Sequence, residues 1–248
     1  MQPITFSSGL SQIADPLARQ LAGYLSETLG LSVRWIDNQP REGWLRESET
    51  DLLWACGYLH ASNLVAGGWH YQAVAAPVMA AERYGGRPVY FGDVIVRADD
   101  PAHTLPALAQ RQFAYNEIES FSGYEMLRRS QLINGEVGSW VSAGIRTGSH
   151  VASISAVIDG SADWAVIDST VLDMQARPEI RVITSIGPYP SPPILMSRLC
   201  TDPLRLRLTE VLHRLHADET ARPFLNRWNV ASFGQADDRD YRTLLTIG

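Results

Sequence analysis

The sequence predicts an α/β protein built as two lobes. Strand and helix patterns alternate along nearly the whole 248-residue chain, as sheets covered by helices require. The chain also passes from strand to strand without an intervening helix near Tyr90 and near Pro188. Two such crossings divide it into a first lobe of residues 1–88 and 190–248 and a second lobe of residues 92–186, with crossovers near 89–91 and 187–189.

Each element has a local reason. Ile4–Ser7 reads as a short strand. Residues 11–29 carry Ile13, Leu17, Leu21, Leu25 and Leu29, an i, i+4 stripe that marks an amphipathic helix, and Gly30 stops it. Leu31–Ile36 is a second strand. Asp51–Cys56 is an apolar run behind one acid, the pattern of a strand buried on both faces. Val74–Pro77 and Val89–Val96 are further strands. Phe113–Tyr115 is a strand followed by a helix from about Gly123 to Leu132. Residues 149–159 are helical, with Val151, Ile154, Val157 and Ile158 on one side. Trp164–Ile167 is a strand, a helix follows it, and Arg181–Ile186 is the next strand. The Pro-rich Gly187–Pro193 reads as a linker between lobes. Ile194–Ser197 returns as strand, and a helix spans 203–217.

Composition narrows the chemistry. The net charge of −6 carries no basic footprint for nucleic acid or an anionic membrane. All 21 basic residues are arginine. Without lysine there is no P-loop phosphate lysine, Schiff-base lysine or pyridoxal-phosphate anchor. Cys56 and Cys200 lack metal-ligand spacing and cannot make a disulfide framework; they read as two buried thiols, with a single bridge as the alternative. His213 and His216 lie at i, i+3 on a helix, with no third ligand at a recognisable spacing, so no metal and no cofactor are expected. The N-terminus lacks a basic then apolar leader pattern, and no stretch approaches a membrane span. The tryptophans Trp35, Trp44, Trp69, Trp140 and Trp228 form no pattern.

Five segments carry candidate ligand groups. Tyr115–Glu125 runs from strand through a polar turn into a helix, where Ser122 and Glu125 fit a capping box and Gly123 permits close backbone approach. Free N–H groups at such a start attract anions, and Ser120 and Ser122 add hydroxyls. Ser149 and His150 open another helix. Asp168 ends a buried strand, at the edge where ligands of open sheets gather. Tyr58 and His60 project from the turn after Gly57, and Tyr90 lies at a crossing. Ser149, His150 and Asp168 also admit a hydrolase-triad reading, although adjacent Ser and His do not readily aim at each other and there is no G-x-S-x-G elbow.

In this order the segments resemble the phosphate/phosphonate-binding (PhnD-like) substrate-binding proteins of ABC transporters. The resemblance rests on Asp51–Gly57, Gly86–Arg97, the anion loop Asn116–Gly123 with its Ser120-Phe121-Ser122-Gly123 end, Gly148-Ser-His150, Gly160–Asp168 and Gly187–Pro193. It implies a type 2 periplasmic-binding-protein fold with a ligand cleft between lobes, and a small oxyanion of the phosphate, phosphonate or phosphite class held there without catalysis. It implies anion contacts from Ser120, Phe121 N–H, Ser122, Gly123 N–H and His150, with Tyr90 lining the cleft. Phe121 stands where phosphonate-specific members carry threonine. The expected partner is an ABC permease, the expected state a monomer. The location is periplasmic if a leader was removed, cytoplasmic otherwise. A cytoplasmic ligand sensor and a binder of a sulfonate or aromatic solute are alternatives on the same fold. A related fold serves thiamine-pyrimidine synthesis through a pyridoxal lysine, which this chain lacks.

Overall fold

The computed structural model describes residues 3–10, 12–37, 50–129, 144–175 and 177–246. The chain opens with β1 (Ile4–Ser8), then α1 (Asp15–Leu29), β2 (Val33–Trp35), β3 (Leu52–Trp54), α2 (Gly57–Ala66) and β4 (Tyr71–Met79). It continues with β5 (Val89–Arg97), β6 (Phe113–Tyr115), a π-type turn at Phe121–Glu125 running into α3 (Met126–Arg129), β7 (Ile145–Arg146), α4 (His150–Asp159), β8 (Trp164–Asp168), α5 (Ser169–Met174) and β9 (Ile180–Pro190). Last come β10 (Ile194–Ser197), α6 (Asp202–Arg214), α7 (Arg222–Arg227), β11 (Val230–Gln235) and α8 (Asp238–Arg242).

These elements form two compact units, Met1–Val89 with Pro190–Leu245 and Tyr90–Tyr189 with Thr246–Gly248. Each has its own mixed sheet and helices. Thr246 thus groups with the second unit, where the sequence reading kept the chain end with the first.

The first unit's sheet has the order β11-β4-β10-β3-β1-β2. Its inner strand β3 is buried at every residue, lying parallel to β1 and antiparallel to β10. Helix α1 buries Leu17, Leu21, Leu25 and Leu29 and ends at Gly30, whose φ of 63° suits a residue without Cβ. Hydrophobic burial of this kind contributes roughly 1.5–3 kcal/mol per large side chain.

The second unit's sheet has the order β7-β6-β8-β5-β9. Strand β8 is buried throughout at its centre, parallel to β6 and antiparallel to β5. Phe113 and Trp164 pack with ring centres 4.5 Å apart. The start of α3 lies over this sheet: a methyl on Gly92 would stand 2.4 Å from Met126 Sδ and 2.9 Å from Val166 Cγ1.

Several expectations need correction. Residues 187–190 are strand rather than irregular chain: they extend β9, an edge strand of the sheet, and the division between the two units falls among them, between Tyr189 and Pro190; an edge tolerates proline because one side has no ladder partner to lose. The helix expected from Gly123 starts earlier, at Phe121, and its expected end at Leu132 lies outside the described residues, as do Trp44 and Trp140. Cys56 and Cys200 are not bridged to each other and are half-buried rather than buried. No helix among the described residues is long and apolar enough to cross a membrane, and these residues hold no cluster fit for a metal.

Candidate functional site

Three neighbouring strands of the second unit, β7, β6 and β8, run parallel. Their carboxyl ends therefore share one edge, and the segments leaving them meet there. Asn116 follows β6, Thr147–His150 follow β7, and Asp168 ends β8. Backbone bonds join the first two segments: Thr147 N–H donates to Tyr115 O at 2.8 Å and Gly148 N–H to Asn116 O at 3.0 Å. The Thr147 hydroxyl, 2.6 Å from Ser153 Oγ, ties the start of α4 to the same turn.

Ser120 caps the π-type turn. Its Oγ accepts from Gly123 N–H at 3.2 Å, and its carbonyl accepts from Glu125 N–H at 3.0 Å. The expected capping box on Ser122 is therefore displaced by two residues. Glu125 does not reach back to the turn but holds Arg128 and Arg129 one turn ahead, at 2.8 Å each. Released from capping, Ser122 Oγ lies 3.0 Å from His150 Nε2. Asn116 Nδ2 lies 3.3 Å from the same nitrogen and 3.0 Å from Ser120 Oγ. Gly123 makes this approach feasible: a Cβ there would fall 1.9 Å from Asn116 Oδ1 and 3.2 Å from His150 Cε1. Ser149 caps α4 by accepting from Ala152 N–H at 3.1 Å, so it does not face His150 as a triad serine would.

The sequence of this chain also matches a family model, described as the periplasmic substrate-binding protein of the phosphonate ABC transporter, over residues 11–241. The chain belongs to this phosphonate-binding family. The family consists of periplasmic transport proteins that bind solutes. No curated protein sequence gives a significant match. Among solved structures, the binding component of a phosphonate ABC transporter from Pseudomonas aeruginosa is similar with a TM-score of 0.79 at 20% identity, covering 99% of this chain and 85% of that one. PhnD1 from Prochlorococcus marinus, solved with methylphosphonate, gives 0.80 at 15% identity, covering 99% and 96%. A Xanthomonas citri protein bound to ATP gives 0.67 at 18% identity, covering 100% and 96%. These likenesses establish the type 2 periplasmic-binding-protein fold, two sheets flanked by helices.

Within this family member, the electrostatics of the edge follow from burial. His150 is 5% exposed, and loss of hydration lowers its pKa to about 4, so the ring is neutral at physiological pH. Its Nδ1 and the Asn116 Oδ1 are buried without a partner. Burial pushes Asp168 up to about 6, against hydrogen bonds from Thr170 N–H at 2.8 Å and the Thr170 hydroxyl at 2.7 Å. Asp168 thereby caps α5. Between pH 4 and 6 the folded chain holds a proton on Asp168 that the unfolded chain has lost, so stability falls as pH rises through that window. Asp168→Asn is expected to remove this fall, by at most about 3 kcal/mol, in denaturation midpoints recorded from pH 4 to 7. An unaltered pH profile would show that the carboxyl is ionised throughout.

The remaining candidates, apart from Phe121 in the same turn, are placed elsewhere. Phe121 is fully buried with its ring 5.1 Å from that of Tyr189, so its side chain offers no face to a ligand. Tyr90 is buried in β5. Tyr58 is half-buried in the first turn of α2, in the first unit. His60, in the same helix, is fully engaged: Trp69 Nε1–H donates to its Nδ1 at 2.9 Å, and its Nε2 lies 2.9 Å from Asp238 Oδ1. It ties α2 to Trp69 and Asp238 within the first unit and keeps no nitrogen for a ligand. A groove of about 450 Å³ lined by Tyr24, Glu210, Arg214 and Asp218 also lies in the first unit and shares no residue with the candidate site. Sequence reasoning missed Thr147 and Ser153, since a hydroxyl pair supporting a turn leaves no spacing signature.

Proposed function

We propose that the second unit binds a small oxyanion of the phosphate, phosphonate or phosphite class at the carboxyl edge of β6, β7 and β8, and that the protein presents it to an ABC permease. The observation that carries this reading is the hydrogen-bonded set Asn116, Ser120, Ser122 and His150, gathered at one strand edge where the ten-residue helix α4 begins. The first N–H groups of a helix lack intrahelical acceptors and favour negative charge. A neutral imidazole and hydroxyls supply further polar contacts without a lysine. Family membership and the methylphosphonate bound by PhnD1 from Prochlorococcus marinus support the same class of solute.

The site reads as a binding site rather than a catalytic centre. A general base needs a pKa near the working pH, and burial holds His150 at about 4. Its Nδ1 has no carboxylate to orient it, unlike the base of a serine hydrolase.

Calorimetry with inorganic phosphate, methylphosphonate, phosphite and an alkyl sulfonate tests the reading. A hydrogen bond to a charged group is worth about 1.5–3 kcal/mol. Ser120→Ala and His150→Ala are therefore each expected to weaken the best of these ligands by about 10-fold to 150-fold, and the ligand should be recovered unchanged. Equal affinity in both variants would place the site elsewhere.

A further inference from the structure

Buried polar groups are almost always paired, so an inventory of donors and acceptors fixes where protons lie. The cluster around His150 is small enough for that inventory to close. Asn116 Nδ2 can only donate, and its two hydrogens go to Ser120 Oγ at 3.0 Å and His150 Nε2 at 3.3 Å. As oriented, the amide spends both hydrogens, on Ser120 Oγ and on His150 Nε2, and leaves one acceptor, Oδ1, without a donor.

With Asn116 donating to it, Nε2 must present its lone pair. A proton on Nε2 would face the amide hydrogen directly. Ser122 Oγ, 3.0 Å from Nε2, is consequently a donor to the same lone pair. The ring is neutral because burial opposes its charge, so its single proton sits on Nδ1. That nitrogen has no partner among the described residues.

We infer that Asn116 is a positioning residue that fixes His150 as the Nδ1–H tautomer, leaving Nδ1–H as the ring's one unspent group and a donor for a ligand oxygen. The roles of the two serines separate accordingly. Ser120 Oγ accepts from Asn116 and from Gly123 N–H, which leaves its own hydrogen available. Ser122 spends its hydrogen on His150 and offers a ligand lone pairs only. The tautomer rests on the hydrogen bonds inside the unit; the role given to Nδ1–H rests on the oxyanion reading.

Long-range proton–nitrogen NMR of protein labelled with nitrogen-15 histidine tests both halves, with His150 assigned by its loss in His150→Gln. The wild type is expected to show a protonated Nδ1 and a bare Nε2. In Asn116→Asp the neighbour can only accept, so the proton should move to Nε2. In Asn116→Ala the Nε2–H form should gain population, because Ser122 can then accept from it. A protonated Nε2 in the wild type, or the wild-type pattern retained in both variants, would overturn the inference. Saturating inorganic phosphate should shift the wild-type Nδ1 resonance. Calorimetric binding of phosphate without that shift would overturn the role of Nδ1–H. The expected tautomer with no binding of phosphate, phosphite or methylphosphonate would instead sink the oxyanion reading and leave the tautomer in place.

Discussion

Gly123→Ala is expected to lower the thermal midpoint by about 3–8 °C and to weaken oxyanion binding by about 10-fold or more. The new methyl would lie 1.9 Å from Asn116 Oδ1 and 3.2 Å from His150 Cε1. The amide cannot step aside cheaply. Its Nδ2 is held by Ser120 and His150, and its backbone carbonyl accepts from Gly148 N–H. Overpacking of this kind costs roughly 1–3 kcal/mol, and the displaced amide would release the His150 ring and the Ser120 cap together. Gly23 is the control. It is exposed in α1 with nothing within 4 Å of an added methyl, so Gly23→Ala should stabilise the chain by up to about 1 kcal/mol and leave binding unchanged. If the two alanine variants melt and bind alike, the packing around Asn116 is looser than described.

His60→Ala is expected to destabilise the first unit by about 3 kcal/mol or more, a midpoint loss of roughly 6–12 °C. The ring joins α2 to Trp69 and to α8 through Asp238. Because Trp69 Nε1 only donates, Nδ1 accepts, and Nε2–H is the donor to Asp238. That carboxylate also accepts from Ala73 N–H at 2.8 Å and pairs with Arg198 at 2.7 Å. Burial pushes the Asp238 carboxyl up, but these partners outweigh it and hold the group below the ordinary carboxylate range. Truncation would leave a cavity, a tryptophan N–H without its acceptor and a carboxylate short of a donor. Asp238→Asn should be milder, since an amide oxygen still accepts from His60 and the half-exposed Arg198 pair contributes little. Weaker ligand binding by His60→Ala at an unchanged melting midpoint would return His60 to the list of ligand groups.

The two histidines show how far a sequence can be read. His150 was legible because it opens a helix after a glycine turn, and the hydroxyl-rich segment Asn116–Gly123 precedes a second such start. His60 sits in a similar strand–Gly–helix setting, yet its partners lie 9 and 178 residues away. Nothing local distinguishes a histidine pinned from both sides from one left open. The strands and α1 were legible through periodicity, because burial on one face or both writes itself into every second or fourth residue. The capping box was misassigned for a different reason. Ser120 and Ser122 both precede a helix, and the choice between them depends on Glu125 being drawn to Arg128 and Arg129. Prolines 188 and 190 looked like punctuation, because whether a strand lies at an edge is a property of the whole sheet.

Strand β10 lies between β3 and β4, although it follows them by more than a hundred residues. On the ribosome, β3 and β4 therefore emerge with no ladder to join them and wait for residues 194–197. The second unit's sheet needs nothing beyond Pro190. Of the two sheets, the one begun first is the last to be finished. A chain cut just short of residue 194 would hold every strand of the second unit's sheet but would leave β3 and β4 of the first without β10, with open strand edges that invite a chaperone or a protease.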